Sequence, residues 1–203
     1  MTVQLGERQT GFDTNKLGFP SIDACMAIVV VLPEGLYGYH SFGGEVASSW
    51  TKIIPKFKDF IEGKGGNLAN ATRLYGITHL SKRGWRAGAR KEVWTEELAA
   101  YATGLGLTCR ISGYNLDDAL GKFHTSGKSA YVEFEKFGSK CDVSVQTWET
   151  LTPTRTILKA SQNPWGDDIK TIQGGNLTAV QGDIFDPLTA KALRKISKTK
   201  LQG

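Results

Sequence analysis

Seven consecutive apolar residues, Met26 to Leu32, stop abruptly at Pro33-Glu34-Gly35. Ile28, Val29, Val30 and Val31 are β-branched, and a short continuous apolar run of this kind predicts a buried strand. The Pro-Glu-Gly segment carries the breakers of a short turn. Leu36, Tyr37, Tyr39 and Phe42 then predict a second, largely aromatic strand. The chain must therefore fold back on itself as an antiparallel hairpin.

A hairpin pairs residues whose numbers add to a constant, and a turn centred near Glu34 sets that constant at about 68. Cys25 then falls opposite about residue 43, within a few positions of His40. Direct and diagonal cross-strand neighbours are close enough for side chains to meet. A thiol within hydrogen-bond reach of an imidazole is the minimal machinery for nucleophilic attack on an amide. Gly43 and Gly44 leave backbone space beside the histidine. The competing reading is an inert packing cysteine. The chain has three cysteines and three histidines, so one close pair can arise by chance.

The segment Ala24-Cys25, Met26 to Val31, and Leu36 to His40 followed by Ser41 resembles the catalytic core of the cytotoxic necrotizing factor deamidases. More distantly it resembles the chemoreceptor deamidase CheD. In that superfamily a glycine or small residue precedes a nucleophilic cysteine, an apolar strand follows, and a histidine sits on the next strand. The resemblance covers roughly residues 14 to 45 and implies a β-sandwich core flanked by helices. Two positions depart from the pattern: Ala24 stands where the family has glycine, and Asp23 precedes it. An acidic neighbour opposes thiolate formation unless it points away or bonds the histidine.

Across the whole chain, 203 residues with 40% hydrophobic content suffice for one domain with its own core. With 24 glycines and only 6 prolines, a mixed α/β chain with many turns is expected. No apolar stretch approaches the length of a membrane-spanning helix. The N-terminal residues have no apolar h-region, so no Sec-type signal is expected. Cys25, Cys109 and Cys141 are an odd number without CxxC spacing, which argues against a disulfide framework or a zinc site. A Cys109–Cys141 disulfide is the alternative to free thiols. No cofactor or metal is expected.

The net charge of +5 implies mild attraction to acidic partners. Basic residues gather in the segment 82–91, with Lys82, Arg83, Arg86, Arg90 and Lys91 around Trp85, and near the C-terminus. Arg83, Trp85 and Arg86 are candidate docking residues for an acidic protein substrate. Nucleic acid is disfavoured because no nucleic-acid module signature is present.

Residues 1–20 read as an irregular arm. Val46, Trp50, Ile53, Ile54, Phe57 and Ile61 repeat at helical spacing, with Pro55 delaying or kinking the helix and Gly63 to Gly66 ending it. A strand is expected over Thr72 to His79. Trp94, Leu98, Tyr101 and Leu105 share a helix face that Gly104 and Gly106 close. Leu107 to Ile111 reads as a strand carrying Cys109. Asn115 caps a helix bearing Leu116, Leu120 and Phe123. Ser129 to Phe134 and Cys141 to Trp148 form a hairpin. Thr154 to Lys159 is a strand, Asn163 to Asp168 a turn, and Ile169 to Val180 two short strands around Gly174-Gly175. Pro187 starts a last helix with Leu188, Ala192, Leu193 and Ile196 inward, and residues 198–203 fray. No repeat or linker divides the chain. This order predicts a single α+β domain, a layered, mostly antiparallel sheet with helices outside. His79 and His124 end a strand and a helix, Asp117 and Asp118 sit in a first helical turn, and Asp167-Asp168 lie in a turn. None of these is assigned to catalysis.

The resemblance implies a concrete reaction. His40 takes the proton of Cys25, the thiolate attacks a glutamine carboxamide, ammonia leaves, and water resolves the thioester to glutamate; an amine instead gives transglutamination. A third group should orient the imidazole. Thr14, Asn15, Ser21, a backbone carbonyl of the same arm and Asp23 all remain open. The toxin branch implies a bacterial effector acting in a target-cell cytosol on a protein such as a Rho-family GTPase. No delivery segment is visible, so a specialised secretion machine or a longer parent chain would be needed. CheD implies a housekeeping enzyme. The other classes are a different cysteine hydrolase (a protease or amidase) and a non-enzymatic binding module using residues 82–91.

Overall fold

The arm over residues 1–20 is ordered sheet rather than irregular chain. The computed structural model describes residues 2–83, 90–121, 129–148, 157–158, 168–179, 184–185 and 194–195. The arm holds β1 (Val3–Gln4), β2 (Gln9–Asp13) and the start of β3 (Lys16–Ile22). Its strand pattern was masked by polar residues that are buried with partners. The Thr10 hydroxyl donates to the Gly38 carbonyl at 2.9 Å, and Gln4 Nε2 donates to Tyr131 at 3.0 Å. A buried polar group with a partner loses little of its hydrogen-bonding free energy, so such residues can occupy core-facing positions.

β4 (Met26–Leu32) and β5 (Gly35–Ser41) form the expected hairpin. Leu32 faces Gly35 across the two-residue Pro33-Glu34 turn, and Met26 faces Ser41, one residue short of the expected constant. Every residue of β4 is buried. Cys25, Ala27, Val29 and Val31 face one core, while Met26, Ile28, Val30 and Leu32 face another. Each fully buried aliphatic side chain contributes about 1.5–3 kcal/mol. A one-residue slip would exchange the two faces, so the register of this strand is strongly fixed.

α1 (Ala47–Gly63) runs through Pro55 rather than starting after it. The buried face of Ile54, Phe57, Phe60 and Ile61 offsets the one backbone bond that proline removes. After a 3-10 turn at Leu68–Asn70 come β6 (Arg73–Thr78), α2 (Leu80–Arg83) and α3 (Arg90–Leu105). α1 and α3 both close as expected on glycines in the left-handed region, Gly65 and Gly106, with φ of 83° and 69°. β7 is Arg110–Asn115, later than expected, so Cys109 precedes the strand. The Asn115 side chain caps α4 (Leu116–Leu120) by accepting from Asp117 N at 3.1 Å.

β8 (Ser129–Phe137) and β9 (Lys140–Trp148) make the second long hairpin. β10 (Ile157–Leu158), β11 (Ile169–Gln173), β12 (Asn176–Ala179), β13 (Ile184–Phe185) and β14 (Arg194–Lys195) follow. The expected strands around Gly174-Gly175 are present as β11 and β12. The expected last helix is contradicted at Arg194 and Lys195, which pair with Val145 and Ser144 of β9. Backbone pairing along an open sheet edge outweighs the helical spacing of the surrounding leucines. Phe123, His124, Trp85, Arg86, Asp167, Pro187 and the tail from 198 lie outside the described residues.

The strands form a seven-stranded sheet in the order β12-β11-β2-β5-β4-β6-β7, a five-stranded sheet in the order β1-β3-β8-β9-β14, and the pair β10-β13. The two larger sheets pack as a single mixed α/β domain without closing into a barrel. Leu5, Leu17, Phe19, Ala27, Val29, Ile77, Val132 and Phe134 fill the space between them. α1 and α3 cover the other face of the seven-stranded sheet through Phe57, Phe60, Trp94, Leu98 and Tyr101. β4 and β5 thus lie at the centre of the larger sheet, buried on both faces.

Candidate active site

His40 pairs with Ala27 in the β4–β5 ladder, two residues from Cys25. Side chains two apart along a strand share a face, so Cys25 and His40 are diagonal neighbours on the face between the sheets. His40 is 1% exposed and its ring lies 6.1 Å from that of Phe19. Its Nδ1 sits 2.8 Å from the Leu5 carbonyl oxygen. A carbonyl only accepts, so Nδ1 carries the proton and Nε2 presents a lone pair. That Nε2 is buried with no hydrogen-bond partner among the described residues.

The orienting group is therefore a backbone carbonyl of the N-terminal arm, one of the alternatives left open by the sequence. The side-chain candidates do not fill that place. Thr14 and Asn15 are exposed in the β2–β3 turn, and Asp13 of that turn pairs with Leu36 at the far end of β5. Ser21 lies in an irregularity of β3 with φ of 61°. Asp23 is engaged elsewhere, accepting from Ala24 N and holding Lys82 Nζ at 3.0 Å.

Cys25 is 6% exposed and is a free thiol, as are Cys109 and Cys141. Its Sγ approaches Glu7 Oε2 at 3.8 Å and makes no hydrogen bond with His40. Burial pushes the thiol up to about 12; the Gly43 N–H and the Arg83 guanidinium pull it down, while Glu7 and Asp23 push it up. Burial drives the His40 imidazole down to about 4, against the Leu5 carbonyl, which favours the protonated ring. The resting pair is thus neutral thiol and neutral imidazole. Neither a thiolate nor an imidazolium is solvated here, so proton transfer from Cys25 to His40 is not complete at rest. Gly43 packs tightly on the residue before Cys25: a Cβ built on it would lie 2.6 Å from the Ala24 Cβ.

Both carbonyls flanking the sulfur are held. Thr78 Oγ1 donates to the Cys25 carbonyl at 2.8 Å, and Arg83 Nη1 donates to the Ala24 carbonyl at 2.7 Å. Arg83 also donates to Ser41 Oγ at 2.7 Å and, through Nε, to Glu97 at 2.7 Å. One guanidinium thereby ties the residue before Cys25 to the residue after His40. Burial opposes its charge, but the Glu97 carboxylate beside it keeps its pKa above the ordinary arginine value. Arg83 is buried, so the expected docking role is corrected to an internal clamp. Glu45 continues the network, accepting from Tyr39 at 2.7 Å and Ser41 at 2.8 Å.

Sequence reasoning missed Glu7, Thr78 and the Arg83–Glu97 pair. Glu97 did leave a signal, since it falls on the stripe of Trp94, Leu98 and Tyr101 and so had to be buried. His79 forms a buried pair with Asp117 at 3.0 Å, and Ser81 donates to the same carboxylate. Burial alone would raise Asp117, but these bonds hold it down at about 2. The pair fastens α4 to the end of β6. Among the described residues no group of three or more His, Cys, Asp or Glu is placed to hold a metal, and no helix is long and apolar enough to cross a membrane. Compared with models of protein families, the chain matches none, and no curated protein matches it.

Proposed function

We propose that the protein is a cysteine-dependent protein glutamine deamidase that works through Cys25 and His40. The observation that carries this reading is the His40 ring. Its Nδ1 proton is fixed on the Leu5 carbonyl, and its Nε2 lone pair is unpartnered on the face that carries Cys25. A buried nitrogen without a partner is costly and calls for a role. Accepting the proton of a nearby thiol is the role that its position allows.

In this reaction a glutamine carboxamide reaches the sulfur and Cys25 passes its proton to His40 Nε2 as the C–S bond forms. Proton transfer concerted with attack suits a pair that is neutral at rest. The Gly43 N–H, already directed at the sulfur, is a candidate donor for the developing oxyanion. His40 returns the proton to departing ammonia, and water hydrolyses the thioester to glutamate. Methylamine in place of water would give the transamidated product.

The proposed substrate is a glutamine in a folded protein, and the resemblance of the hairpin to the necrotizing factors favours a small GTPase in a target cell. Losing that carboxamide would disable positioning of the attacking water. Intact-mass measurement tests the reading. Purified protein is expected to add about one dalton to a candidate GTPase, and Cys25→Ser and His40→Ala proteins that fold normally are expected to add nothing. A mass gain that persists in either variant removes that residue from the chemistry.

A further inference from the structure

Glu7 stands out among the groups around the sulfur. It is exposed, yet among the described residues its carboxylate has no ion-pair partner, and its contact is the Cys25 thiol at 3.8 Å. The turn that presents it is firmly held. Gly6 N donates to Gln9 Oε1 at 2.7 Å, Gln9 N to the Gly6 carbonyl at 3.0 Å, and Arg8 N to the His40 carbonyl at 2.8 Å. Arg8 adopts φ of 63°, a conformation that costs a non-glycine residue free energy, and its guanidinium stacks 4.5 Å over Phe42. The neighbouring cation is thereby turned away from Glu7. The same turn follows directly on Leu5, whose carbonyl orients His40.

We propose that Glu7 is the specificity-determining residue of the Cys25 site: its carboxylate holds the thiol at rest, accepts the N–H groups of an incoming carboxamide, and repels a carboxylate. This deepens the deamidase reading and rests on it for the identity of the substrate. The geometry fits the substrate's shape. A carbonyl carbon poised for attack lies about 3–3.5 Å from sulfur, and with Glu7 Oε2 3.8 Å from the same sulfur one orientation of the carboxamide brings its nitrogen within about 3 Å of that oxygen. A carboxamide NH2 offers two donors to an acceptor-only group. When those donors engage Glu7, the S–H loses its partner and turns to the vacant His40 Nε2, so the general base is engaged only when a carboxamide is present. The product carries a like charge and no donors, so it is expelled. A primary amide is read by what it donates, and hydrolysis destroys that feature.

A matched pair of electrophiles tests the proposal without a protein substrate. Iodoacetamide carries the carboxamide and iodoacetate the carboxylate on the same leaving-group chemistry. Alkylation rates at Cys25, resolved by peptide mass analysis at neutral pH, are compared with those of 2-mercaptoethanol. In the wild-type protein the iodoacetamide-to-iodoacetate ratio is expected to exceed that of the free thiol by about ten-fold or more, the scale of a charge-assisted hydrogen bond plus repulsion. Glu7→Gln should bring the ratio to within about two-fold of the free thiol, and Glu7→Lys should invert it. A ratio that ignores both substitutions, or a wild-type ratio equal to that of the free thiol, overturns the proposal. The two readings fail separately. A Glu7-dependent ratio with no mass gain on glutamine proteins leaves a carboxamide site and removes the deamidase. Deamidation with a Glu7-independent ratio removes Glu7 alone.

Discussion

The two ends of the β4–β5 hairpin are built from opposite materials. At the turn end pairing is complete to Leu32 and Gly35, and the polar contacts are few: Tyr37 to Glu34 at 3.3 Å, Lys136 Nζ to the Pro33 carbonyl at 2.9 Å and Thr72 Oγ1 to the Val31 carbonyl at 3.3 Å. No residue of that turn takes a positive φ. At the open end the ladder stops at Met26 and Ser41. Of the two non-glycine residues with positive φ among those described, Arg8 donates its N–H to the His40 carbonyl and Ser21 lies four residues before Cys25. A buried arginine, two buried or half-buried glutamates and an unpartnered imidazole nitrogen crowd the same end. One end is optimised for pairing. The other carries strain of about 1–3 kcal/mol per unusual backbone conformation and desolvated charge, features that cluster where a site is positioned rather than where a fold is merely stabilised. The difference marks the open end as the part of this strand pair where the proposed chemistry would sit, on grounds other than a motif.

The sharpest way to break the contrast is to remove the clamp. Arg83→Leu leaves Glu97 buried without its partner, and a loss of about 3–5 kcal/mol in unfolding free energy is expected from urea denaturation. Arg83→Leu with Glu97→Leu should recover most of that loss, because two apolar groups replace two charges. If the double variant is as unstable as the single one, the ion pair is not what holds the open end together. In the stabilised double variant the alkylation rate at Cys25 is expected to differ from wild type, since the Ala24 carbonyl has lost its donor.

Protonation of His40 gives the next largest effect. Its folded-state pKa of about 4 lies below the ordinary histidine value of 6.5. The unfolded chain therefore binds the proton first as pH falls. The stability contribution is full above pH about 6.5 and is lost between there and about 4, a change of roughly 3 kcal/mol. Urea midpoints measured across that window should fall with pH, and His40→Gln should flatten the profile. Under the proposed mechanism the deamidation rate should likewise hold down to pH near 4, with His40 neutral until then. An acid limb centred at 6.5 would show that the ring is solvated in the working enzyme.

Much of this contrast was legible in the residues, and the gaps have physical causes. The run of Val29 to Val31 and the Pro33-Glu34 turn placed β4, β5 and their register to within one residue. That placement brought His40 near Cys25. Periodicity likewise found α3, because Trp94, Leu98 and Tyr101 must all be buried. It failed over residues 1–20, where Gln4 and Thr10 are buried through specific partners that a pattern of polarity cannot anticipate. It failed at Arg83 for the same reason: an arginine beside a run of basic residues reads as exposed unless its distant carboxylate is known. The orienting carbonyl of Leu5 is a backbone group, and sequence says nothing of where a carbonyl points.

Between the two ends, Gly38 is packed tightly from the side of the second sheet. A Cβ there would meet Leu5, Leu17 and Phe19 side chains, each at 2.8 Å. Gly38→Ala is expected to cost about 1–3 kcal/mol by overpacking. It should also shift Leu5, and with it the carbonyl on His40, so activity should fall by more than the stability loss alone produces. Thermal unfolding and the mass assay, run below the melting transition, separate the two. Loss of stability with unchanged activity in the folded fraction would show that the arm tolerates displacement without moving the imidazole.

The smallest effect is expected at the turn. Tyr37 packs in the helix-side core, with its ring 4.8 Å from that of Phe12, while its hydroxyl reaches Glu34 at 3.3 Å near solvent. Tyr37→Phe keeps the packing and removes one weak hydrogen bond, so a cost below about 1 kcal/mol is expected in urea denaturation. Deamidation and the two alkylation rates at Cys25 should be unchanged, because Tyr37 points away from the face that holds Cys25 and His40. A turn-end change that altered Cys25 reactivity as strongly as a change at Gly38 would mean that the hairpin transmits strain along its whole length. The separation of pairing from chemistry between its two ends would then be wrong.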